Sequence, residues 1–537
     1  MRTTRSIFDG LRICESSWPG PQASRLPHSF FALRAQRRRD ACGPRKERAH
    51  KLRHHATFGL LALMLFAVGV CAQTPQATPP PPAAPRSASI PKPVEQTLSN
   101  GLRVIVIERR ESPLVSAQLV IKNGGEVDPP ELAGLADMTA NLLTKGTQTR
   151  DATKIANEIE SLGGSLQSGA RWDSSSATVG VMSSKIAPAM EILADVVRRP
   201  TFKSEEVERL RQQYQDNLTL ALGEPGSIAR FVAARVVFGD GAYGHPLSGT
   251  LESLTRITAA DIAKMHGRYY RPDNAILVIG GDITTKEALA LATRYFGDWH
   301  KPTTPLLSDA ASTEKTAKTG RVVVIDKPDA GQAAVYLART GIDRRDPDFF
   351  RGIVTNSVLS GYSGRLNQEI RIKRGLSYGA GSSLDARRRV GPFVASAQTK
   401  NESGMEVAEL LLGEVSKLAS APPSEAELTP RKAVLIGNFS RSLETVDGVV
   451  SQIAALAVQG IELNEINRYI NNVQAIGPQD VQKFAGARLD AKSSNIIIVG
   501  NAKLFLPELQ KKYPNVEVIP MSELDLNTAL LRKKQQQ

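Results

Sequence analysis

An internal repeat constrains the fold of this chain more than any other feature. Residues 103–107 (RVIVI) match residues 321–325 (RVVVI) at an offset of 218 positions. Residues 274–280 (NAILVIG) resemble residues 494–500 (SNIIIVG) at an offset of 220 positions. A third, shorter match also has the offset of 218 positions. Matches that share nearly one register indicate a duplicated unit of about 210 residues rather than chance similarity.

Each copy of the repeat mixes strand and helix patterns. Apolar, β-branched runs at residues 103–108 and 114–121 predict strands. Apolar residues at helical spacing predict amphipathic helices at residues 152–162 and 405–418. Each half is therefore expected to be α+β.

Composition divides the chain into six segments. Residues 301–319 are rich in Pro, Thr, Ser and Ala, as is typical of a linker, and residues 73–93 are a Pro/Ala-rich spacer. The predicted organisation is a basic region plus secretory signal at 1–72, a linker at 73–93, an N-terminal domain at 94–300, an interdomain linker at 301–319, a C-terminal domain at 320–518 and a polar tail at 519–537.

The net charge of +14 is concentrated at the N-terminus. Residues 1–55 hold 13 Lys and Arg against 4 Asp and Glu, and residues 56–72 hold no charged residue. The rest of the chain is only mildly basic and has no long basic run, which argues against nucleic-acid binding.

A secretory signal is predicted at the end of the basic region. The apolar run at residues 56–70 is short for a membrane span and suits a signal sequence, and Val70-Cys71-Ala72 offers a cleavage site. We therefore expect export to a bacterial periplasm or cell envelope, with no membrane span after signal cleavage. An uncleaved N-terminal anchor is the alternative.

All three cysteines precede the expected cleavage point: Cys14, Cys42 and Cys71. The mature chain would therefore have no disulfide, no cysteine nucleophile and no cysteine metal ligand.

Residues 134–147 (GLADMTANLLTKGT) place Asp137, Ala140 and Asn141 on one helical face, since positions i, i+3 and i+4 align. This segment resembles the zinc-binding helix of the insulinase/pitrilysin family, to which mitochondrial processing peptidase also belongs. Active members carry H-x-x-E-H there and a glutamate ligand about 76 residues later. The corresponding positions here are Asp137, Ala140, Asn141 and Asn217.

The chemistry of these four residues disfavours a metal site. A catalytic zinc needs three protein ligands and a group that activates water. Asn141 and Asn217 are neutral amides, Ala140 cannot accept a proton, and only Asp137 offers a carboxylate. We therefore expect no metal in this chain, with Asp137 as a solvated helix residue and Asn141 as a satisfied polar residue.

The resemblance extends over residues 94–518 and implies a fold. It includes residues 98–102 (LSNGL), 243–246 (YGHP) and 269–275 (YYRPDNA). The family fold implied is two homologous α/β-sandwich domains forming a half clamshell. After a glycine pair such as Gly163-Gly164, the family has a substrate-pairing strand marked Asn-Ala, where this chain has Gln167-Ser168.

Residues 361–378 (GYSGRLNQEIRIKRGLSY) resemble the family's glycine-bearing loop, helix and strand. The resemblance assigns Arg371 and Tyr378, seven positions apart, to binding of the substrate carbonyl and the oxyanion. Their chemistry suits this role, because a guanidinium and a phenol donate hydrogen bonds to developing negative charge. Gly361 and Gly364 would belong to a substrate-contacting loop or to a helix-entry turn.

These features favour a non-metal-binding, substrate-binding subunit of a heterodimeric zinc peptidase. It would be inactive alone and would act on peptides or unfolded chains with a homologous H-x-x-E-H subunit that supplies zinc. The alternative is a non-enzymatic peptide-binding or assembly scaffold with the same fold. An autonomous protease with unrecognised ligands is a third, weaker hypothesis.

Overall fold

The computed structural model describes residues 89–306 and 320–533, and it contains two six-stranded sheets. The first sheet has the order β1-β2-β6-β3-β5-β4. Its strands are β1 (Val94–Thr97), β2 (Arg103–Glu108), β3 (Leu114–Ile121), β4 (Ser165–Ala170), β5 (Ser175–Met182) and β6 (Ala275–Gly281). Strand β4 therefore lies at an edge of this sheet.

The second sheet repeats the arrangement of the first, with the order β12-β7-β11-β8-β10-β9. Its strands are β7 (Val322–Asp326), β8 (Ala333–Thr340), β9 (Ser377–Leu384), β10 (Pro392–Thr399), β11 (Asn495–Gly500) and β12 (Glu517–Pro520). The parallel β2–β6 pair corresponds to the parallel β7–β11 pair, and β4 corresponds to β9. The sheets differ at the opposite edge, where β1 runs antiparallel to β2 whereas β12 runs parallel to β7.

Helices cover both sheets. In the first half they are α1 (Leu135–Leu142), α2 (Ala152–Ser161), α3 (Ile186–Arg198), α4 (Ser204–Gly223), α5 (Pro225–Phe238), α6 (Leu251–Arg256), α7 (Ala259–Tyr269) and α8 (Thr285–Phe296). In the second half they are α9 (Phe349–Leu359), α10 (Gly404–Ser420), α11 (Glu425–Ser442), α12 (Val446–Gln459), α13 (Glu465–Gln474), α14 (Pro478–Arg488) and α15 (Leu506–Lys512). A short π-helix at Asn367–Lys373 precedes β9.

The two halves exchange helices across their sheets. Helix α5 of the first half packs on β8 and β11, and α12 of the second half packs on β3 and β6. Each sheet therefore has one face covered by helices of its own half and the other face covered by a helix of the other half. This double coverage explains why the central strands β6 and β11 are buried at every position and read as continuous apolar runs.

A loop of the second half also enters the first half. Between β9 and β10, the Arg387 guanidinium lies 4.6 Å from the Trp172 ring centroid and 4.7 Å from the Tyr243 ring centroid. The Arg388 side chain donates to the carbonyl oxygen of Asp173 at 2.7 Å, and its backbone N–H donates to the Asp173 carboxylate at 2.8 Å. We call this contact, formed by residues 385–391 on the first half, the clasp.

The α+β fold class and its duplicated sheets are confirmed by this topology. The strands predicted at 103–108 and 114–121 are β2 and β3, and the predicted helices correspond to α2 and α10. The repeat segments at 103–107 and 321–325 lie on β2 and β7, which occupy equivalent places. The predicted domain boundaries stay predictions.

The ends of the described chain are more firmly packed than composition indicates. Within the predicted 73–93 linker, Ile90 is buried and its backbone exchanges two hydrogen bonds with the Asn467 side chain, at 2.8 and 3.1 Å. Within the predicted polar tail, Leu524, Leu526 and Leu531 are buried against α5 and the second sheet. These two end segments contain few apolar residues, spaced too widely to show a helix or strand period. Their packing therefore depends on tertiary contacts.

The secretory signal at 1–72, most of the 73–93 linker and most of the 301–319 linker lie outside the described residues. Within residues 89–306 and 320–533, no helix is both long enough and apolar enough to cross a membrane.

Candidate functional site

The helix that resembles the zinc-binding element, α1, has a closed hydrogen-bond network in place of metal ligands. One Asp137 carboxylate oxygen accepts from Asn141 Nδ2 at 3.0 Å. The other accepts from the Tyr214 hydroxyl at 3.0 Å. Asn141 Nδ2 also lies 2.9 Å from the Tyr214 oxygen, so the three polar groups form one cluster.

Asp137 is half-buried, so the expectation of a solvated helix residue was wrong. Burial raises the pKa of Asp137 to about 6, although hydrogen bonds from Tyr214, the Ala170 backbone and Asn141 oppose that rise. A carboxylate removed from water needs such donors, because an uncompensated buried charge is costly. The Asn141 amide nitrogen donates within the same network.

The residues at the four family positions do not fit a zinc ion. The Ala140 side chain is 0% exposed and offers no ligand atom, and Asn217 is exposed on α4. Both Asp137 oxygens already accept from neighbouring donors. Among the described residues, no group of three or more His, Cys, Asp or Glu is arranged to hold a metal. The donor set falls short of the three ligands that zinc requires.

Sequence reasoning missed Tyr214. It lies three residues before Asn217 on α4, so both belong to one region of the helix surface, and that spacing was a usable signal. Burial and the neighbouring Asp137 charge raise the pKa of the Tyr214 hydroxyl far above its usual range. Tyr214 therefore acts as a permanent neutral donor to Asp137.

The predicted pair, Arg371 and Tyr378, lies together in the second half. Arg371 is on the π-helix and Tyr378 is the second residue of β9. Gly375 between them has a φ of +65°, which turns the chain. The Arg371 guanidinium carbon lies 5.9 Å from the Tyr378 ring centroid. Tyr378 is 94% exposed, so its hydroxyl is accessible to a ligand.

Arg371 is distinguished by what it does not contact. Arg365 forms a bidentate ion pair with Glu427, at 2.7 and 2.9 Å. Arg374 and Lys373 both pair with Glu369, at 3.1 and 2.9 Å. The Arg371 side chain forms no ion pair or hydrogen bond with any residue that the structure describes, and its guanidinium lies near two aromatic rings. Its five N–H donors are therefore available to a ligand.

Tyr362 is a second aromatic neighbour that sequence reasoning did not single out. Its ring centroid lies 5.6 Å from the Arg371 guanidinium carbon, and the side chain is 73% exposed. Aromatic faces attract a guanidinium without using its N–H donors. Tyr362 and Tyr378 thus flank Arg371 while leaving its hydrogen bonds free.

The loop of residues 360–364, which carries Tyr362 and is called the glycine loop, is anchored from two sides. The buried Asn367 side chain donates to the Tyr362 carbonyl oxygen at 2.6 Å, and the Arg431 side chain contacts the Ser363 hydroxyl. Gly361 has a φ of +93°, a conformation that other residues rarely adopt. At Gly364, a Cβ atom would lie 2.3 Å from the Ser360 carbonyl oxygen. The two glycines are therefore needed to form this tight entry into the π-helix.

The same loop covers the outer edge of β9. The backbone N–H of Ser382 donates to the Ser360 hydroxyl at 3.1 Å, and that of Ala380 donates to the Asn367 side chain at 3.4 Å. These contacts join the loop and the start of the π-helix to the strand that bears Tyr378. Arg371 and Tyr378 therefore lie on elements that are hydrogen-bonded to each other.

The corresponding edge strand of the first half, β4, is open. The turn after β4 is closed by Arg171 N–H donating to the Ser174 carbonyl oxygen at 2.7 Å. Because hydrogen-bonded pairs alternate in an antiparallel ladder, the backbone groups of Leu166 and Ser168 point away from β5. No described residue donates to them or accepts from them within hydrogen-bonding distance. An extended chain could pair along this edge.

Two family profiles match the chain. The profile described as Insulinase (Peptidase family M16) matches residues 103–232, and the one described as Peptidase M16 inactive domain matches residues 256–435. An uncharacterised zinc protease of Mycobacterium leprae is 27% identical over 418 residues, covering 75% of this chain and 92% of that protein. One of Bacillus subtilis is 22% identical over 392 residues, covering 72% of this chain and 94% of that protein.

Solved structures show the same similarity. A peptidase M16 inactive domain from Pseudomonas fluorescens has a TM-score of 0.71 and 26% identity, covering 76% of this chain and 98% of that one. A protease from Helicobacter pylori has a TM-score of 0.71 at 20% identity, which shows the fold alone. With the profiles on both halves and the duplicated sheets, these likenesses establish that the chain belongs to the insulinase (M16) family of peptidases.

Proposed function

We propose that this chain is a non-metal-binding, substrate-binding subunit of a heterodimeric zinc peptidase. It would bind peptides or unfolded chains and would be inactive alone. A homologous subunit with an intact H-x-x-E-H motif would supply the zinc and the hydrolytic chemistry. The observation that carries the proposal is the contrast between the two halves: α1 lacks zinc ligands, whereas Arg371 has free donors beside an exposed Tyr378.

The unpaired cation supports a substrate-binding role. In this part of the chain Arg365, Lys373 and Arg374 all have carboxylate partners. A scaffold has no physical need to keep one arginine between two exposed tyrosines without a partner. A guanidinium in this setting suits a peptide carbonyl oxygen, and it would stabilise the oxyanion that forms when a partner's zinc site attacks that carbonyl.

The open edge of β4 supports a peptide substrate. Strand addition uses main-chain hydrogen bonds and therefore accepts many sequences. The unpaired groups of Leu166 and Ser168 provide such an edge, next to α1. An extended segment would fit this edge, and a folded domain would not expose a strand to pair with it.

Cellular location is part of the proposal. The predicted signal at residues 1–72 would export the chain to a bacterial periplasm or cell envelope, and the partner would be exported with it. After cleavage at the predicted site the chain would have no cysteine, so an oxidising compartment would place no constraint on it.

The test is reconstitution with a similar-length H-x-x-E-H protein encoded near this chain. Cleavage of an unstructured peptide is expected only when both chains are present. Arg371→Ala is expected to lower kcat/KM by about 100-fold to 1,000-fold, and Tyr378→Phe by about 10-fold to 100-fold, since each removes a donor to the oxyanion. Arg374→Ala, which removes a paired cation three residues away, is the matched control and is expected to retain activity.

Two outcomes would contradict the proposal. Cleavage by the purified chain alone, with about one equivalent of bound zinc, would show an autonomous protease. Cleavage that needs both chains but ignores Arg371→Ala and Tyr378→Phe would favour the non-enzymatic scaffold, whose residues take no part in the chemistry.

A further inference from the structure

One buried side chain, that of Asn367, is hydrogen-bonded to two segments at the candidate site. Asn367 is the first residue of the π-helix and is 3% exposed. Its Nδ2 donates to the Tyr362 carbonyl oxygen at 2.6 Å, and its Oδ1 accepts from the Ala380 backbone N–H at 3.4 Å. A carbonyl oxygen only accepts and an N–H only donates, so these two partners determine the orientation of the amide.

The two hydrogen bonds join the three segments that carry the exposed tyrosines and the unpaired arginine. Tyr362 lies on the glycine loop, and Ala380 lies two residues after Tyr378 on β9. Asn367 itself lies four residues before Arg371 on the π-helix. The loop, the strand and the helix therefore meet at one amide group.

The glycine loop also has attachments that do not involve the π-helix. The Arg431 side chain, from α11, contacts the Ser363 hydroxyl. The Ser360 hydroxyl accepts from the Ser382 backbone N–H at 3.1 Å. Loss of the Asn367 side chain should therefore loosen the π-helix relative to the loop and β9 while the loop keeps its other anchors.

The chemistry at this position is specific to an amide. An amide donates and accepts at once from one rigid plane, whereas a carboxylate only accepts and an aliphatic side chain does neither. A leucine at position 367 would fill nearly the same space and would leave the Tyr362 carbonyl and the Ala380 N–H without this partner. Small displacements of groups that contact a reacting atom are costly to the rate of a reaction, so loosening here should reach the chemistry.

We propose that Asn367 is a positioning residue for the Arg371 and Tyr378 pair. Its amide sets the π-helix, the glycine loop and β9 relative to one another, so that the guanidinium and the phenol are directed at one substrate oxygen. Asn367 itself does not contact the substrate. This inference rests on the proposed substrate-binding function, but its structural half can be measured on the isolated chain.

The first measurement is hydrogen exchange of the ligand-free full chain. Asn367→Leu is expected to raise exchange in both the glycine loop and residues 377–381 by about 5-fold to 10-fold, the loss associated with one hydrogen bond. Exchange in β3 (Leu114–Ile121) is the internal reference and is expected to stay unchanged. Asn367→Ala, which cannot overpack the site, is expected to give the same pattern.

Asn356→Ala is the matched control. The Asn356 side chain, on α9, accepts from the Ser382 hydroxyl at 2.8 Å, so it also attaches to β9 but has no hydrogen bond to the Tyr362 carbonyl. This variant is expected to raise exchange in β9 and to leave the glycine loop unchanged.

The second measurement is peptide cleavage with the H-x-x-E-H partner. Asn367→Leu is expected to lower kcat about 10-fold with KM changed by less than about 2-fold, because donors to an oxyanion act in the transition state. Asn356→Ala is expected to keep kcat within about 2-fold of the original pair, although it also removes a hydrogen bond to β9.

A double variant tests whether Asn367 acts through the arginine. Adding Asn367→Leu to Arg371→Ala is expected to lower kcat by less than about 3-fold further, since the group being positioned is already absent. A residue that only stabilises the fold would cause the same loss in both backgrounds.

The outcomes separate the two proposals. Unchanged exchange in the glycine loop and in residues 377–381 overturns the positioning role, as does an equal rise in β3. Equal losses of kcat for Asn367→Leu and Asn356→Ala, or a full further 10-fold loss in the double variant, also overturn it. Failure of the original pair to cleave any peptide overturns the proposed function, and hydrogen exchange then still decides whether Asn367 orders the loop and β9.

Discussion

At the scale of single residues, the cations beside β9 differ in what holds them. Arg365 is partly buried and has a bidentate pair with Glu427, whereas the Arg371 guanidinium lies near two aromatic rings and has no ion pair with a described residue. Paired, partly buried guanidinium groups contribute to stability, and an accessible unpaired one contributes little. Stability and ligand binding should therefore be separable within this one segment.

Alanine substitutions test that separation. Arg365→Ala is expected to lower the free energy of unfolding by about 1 kcal/mol, because it leaves the Glu427 carboxylate without its ion-pair partner. Arg371→Ala is expected to change it by less than about 0.5 kcal/mol. Urea unfolding of the two variants measures both values. A larger loss for Arg371→Ala would show that Arg371 is structural and would weaken its assignment to substrate.

The roles of individual residues were predictable only where a fixed separation in the sequence indicates them. Arg371 and Tyr378 were found because a fixed separation of seven residues survives in the sequence, and their assignment to substrate stays a prediction. Tyr214 and Tyr362 were missed, because each acts on a residue that is distant in sequence or on the other side of a turn. The spacing of Tyr214 and Asn217 could have placed Tyr214 near the family positions, but no local pattern indicates that its hydroxyl contacts Asp137.

At the scale of elements, the exchanged helices depend on glycines that let them approach. A Cβ atom on Gly280, in β6, would lie 2.7 Å from a methyl carbon of Val450 on α12. Val450 is fully buried, so it has little room to move. Gly280 is thus a point where α12 of the second half meets the sheet of the first half.

A compensating pair of substitutions tests this contact. Gly280→Ala is expected to lower the free energy of unfolding by about 1–3 kcal/mol through overpacking. Adding Val450→Ala should recover part of that loss by making space for the new methyl group. The matched control is Gly267→Ala on α7, where nothing lies within 4 Å of the added Cβ, and this change is expected to stabilise slightly. Equal losses for Gly280→Ala with and without Val450→Ala would contradict this account.

Strands and helices were predictable from residue patterns, and their packing partners were not. The alternation and the apolar runs of 103–108, 114–121 and 152–162 identify the type of each element, since propensity and periodicity are local. That α5 covers the other half's sheet is invisible in its sequence, because any apolar face of suitable size satisfies the same helix. Only the tertiary structure selects the sheet that it covers.

At the scale of the whole molecule, the clasp joins the halves through a carboxylate with a perturbed pKa. Burial raises the pKa of Glu126 to about 7, and the nearby Arg388 guanidinium, 3.5 Å away, opposes that rise. The neighbouring Asp173 charge adds to it. Folded Glu126 therefore binds its proton more tightly than the unfolded chain does, between about pH 4.5 and 7.

The stability of the molecule should consequently depend on Glu126 in a defined direction. The pKa of Glu126 is higher in the folded chain than in the unfolded chain. Protonated Glu126 therefore adds to the free energy of unfolding at low pH, and this contribution is lost as the pH rises from about 4.5 through 7. The loss is at most on the order of 3 kcal/mol. Glu126→Gln cannot ionise, so relative to the original chain it should gain stability between about pH 5 and about pH 8.

Urea unfolding of both chains at the two pH values measures this difference. The same experiment on His266→Gln is an opposite control. Burial lowers the pKa of His266 to about 4, so the contribution of neutral His266 is lost as the pH falls from 6.5. A constant difference between Glu126→Gln and the original chain across the range would contradict the assignment of a raised pKa to Glu126.

The amino-acid sequence alone determined the duplication, the α+β class of each half, the types of the main elements and the absence of the H-x-x-E-H residues from α1. These properties follow from residue identity and short-range spacing, which do not depend on how the chain closes on itself. The tertiary structure decided the rest: the exchanged helices, the hydrogen bonds of Asp137 with Tyr214, the free donors of Arg371 and the packing of residues 521–533. Each of these depends on which distant residue arrives at a given place, and whether a charge is paired or buried is a property of that place.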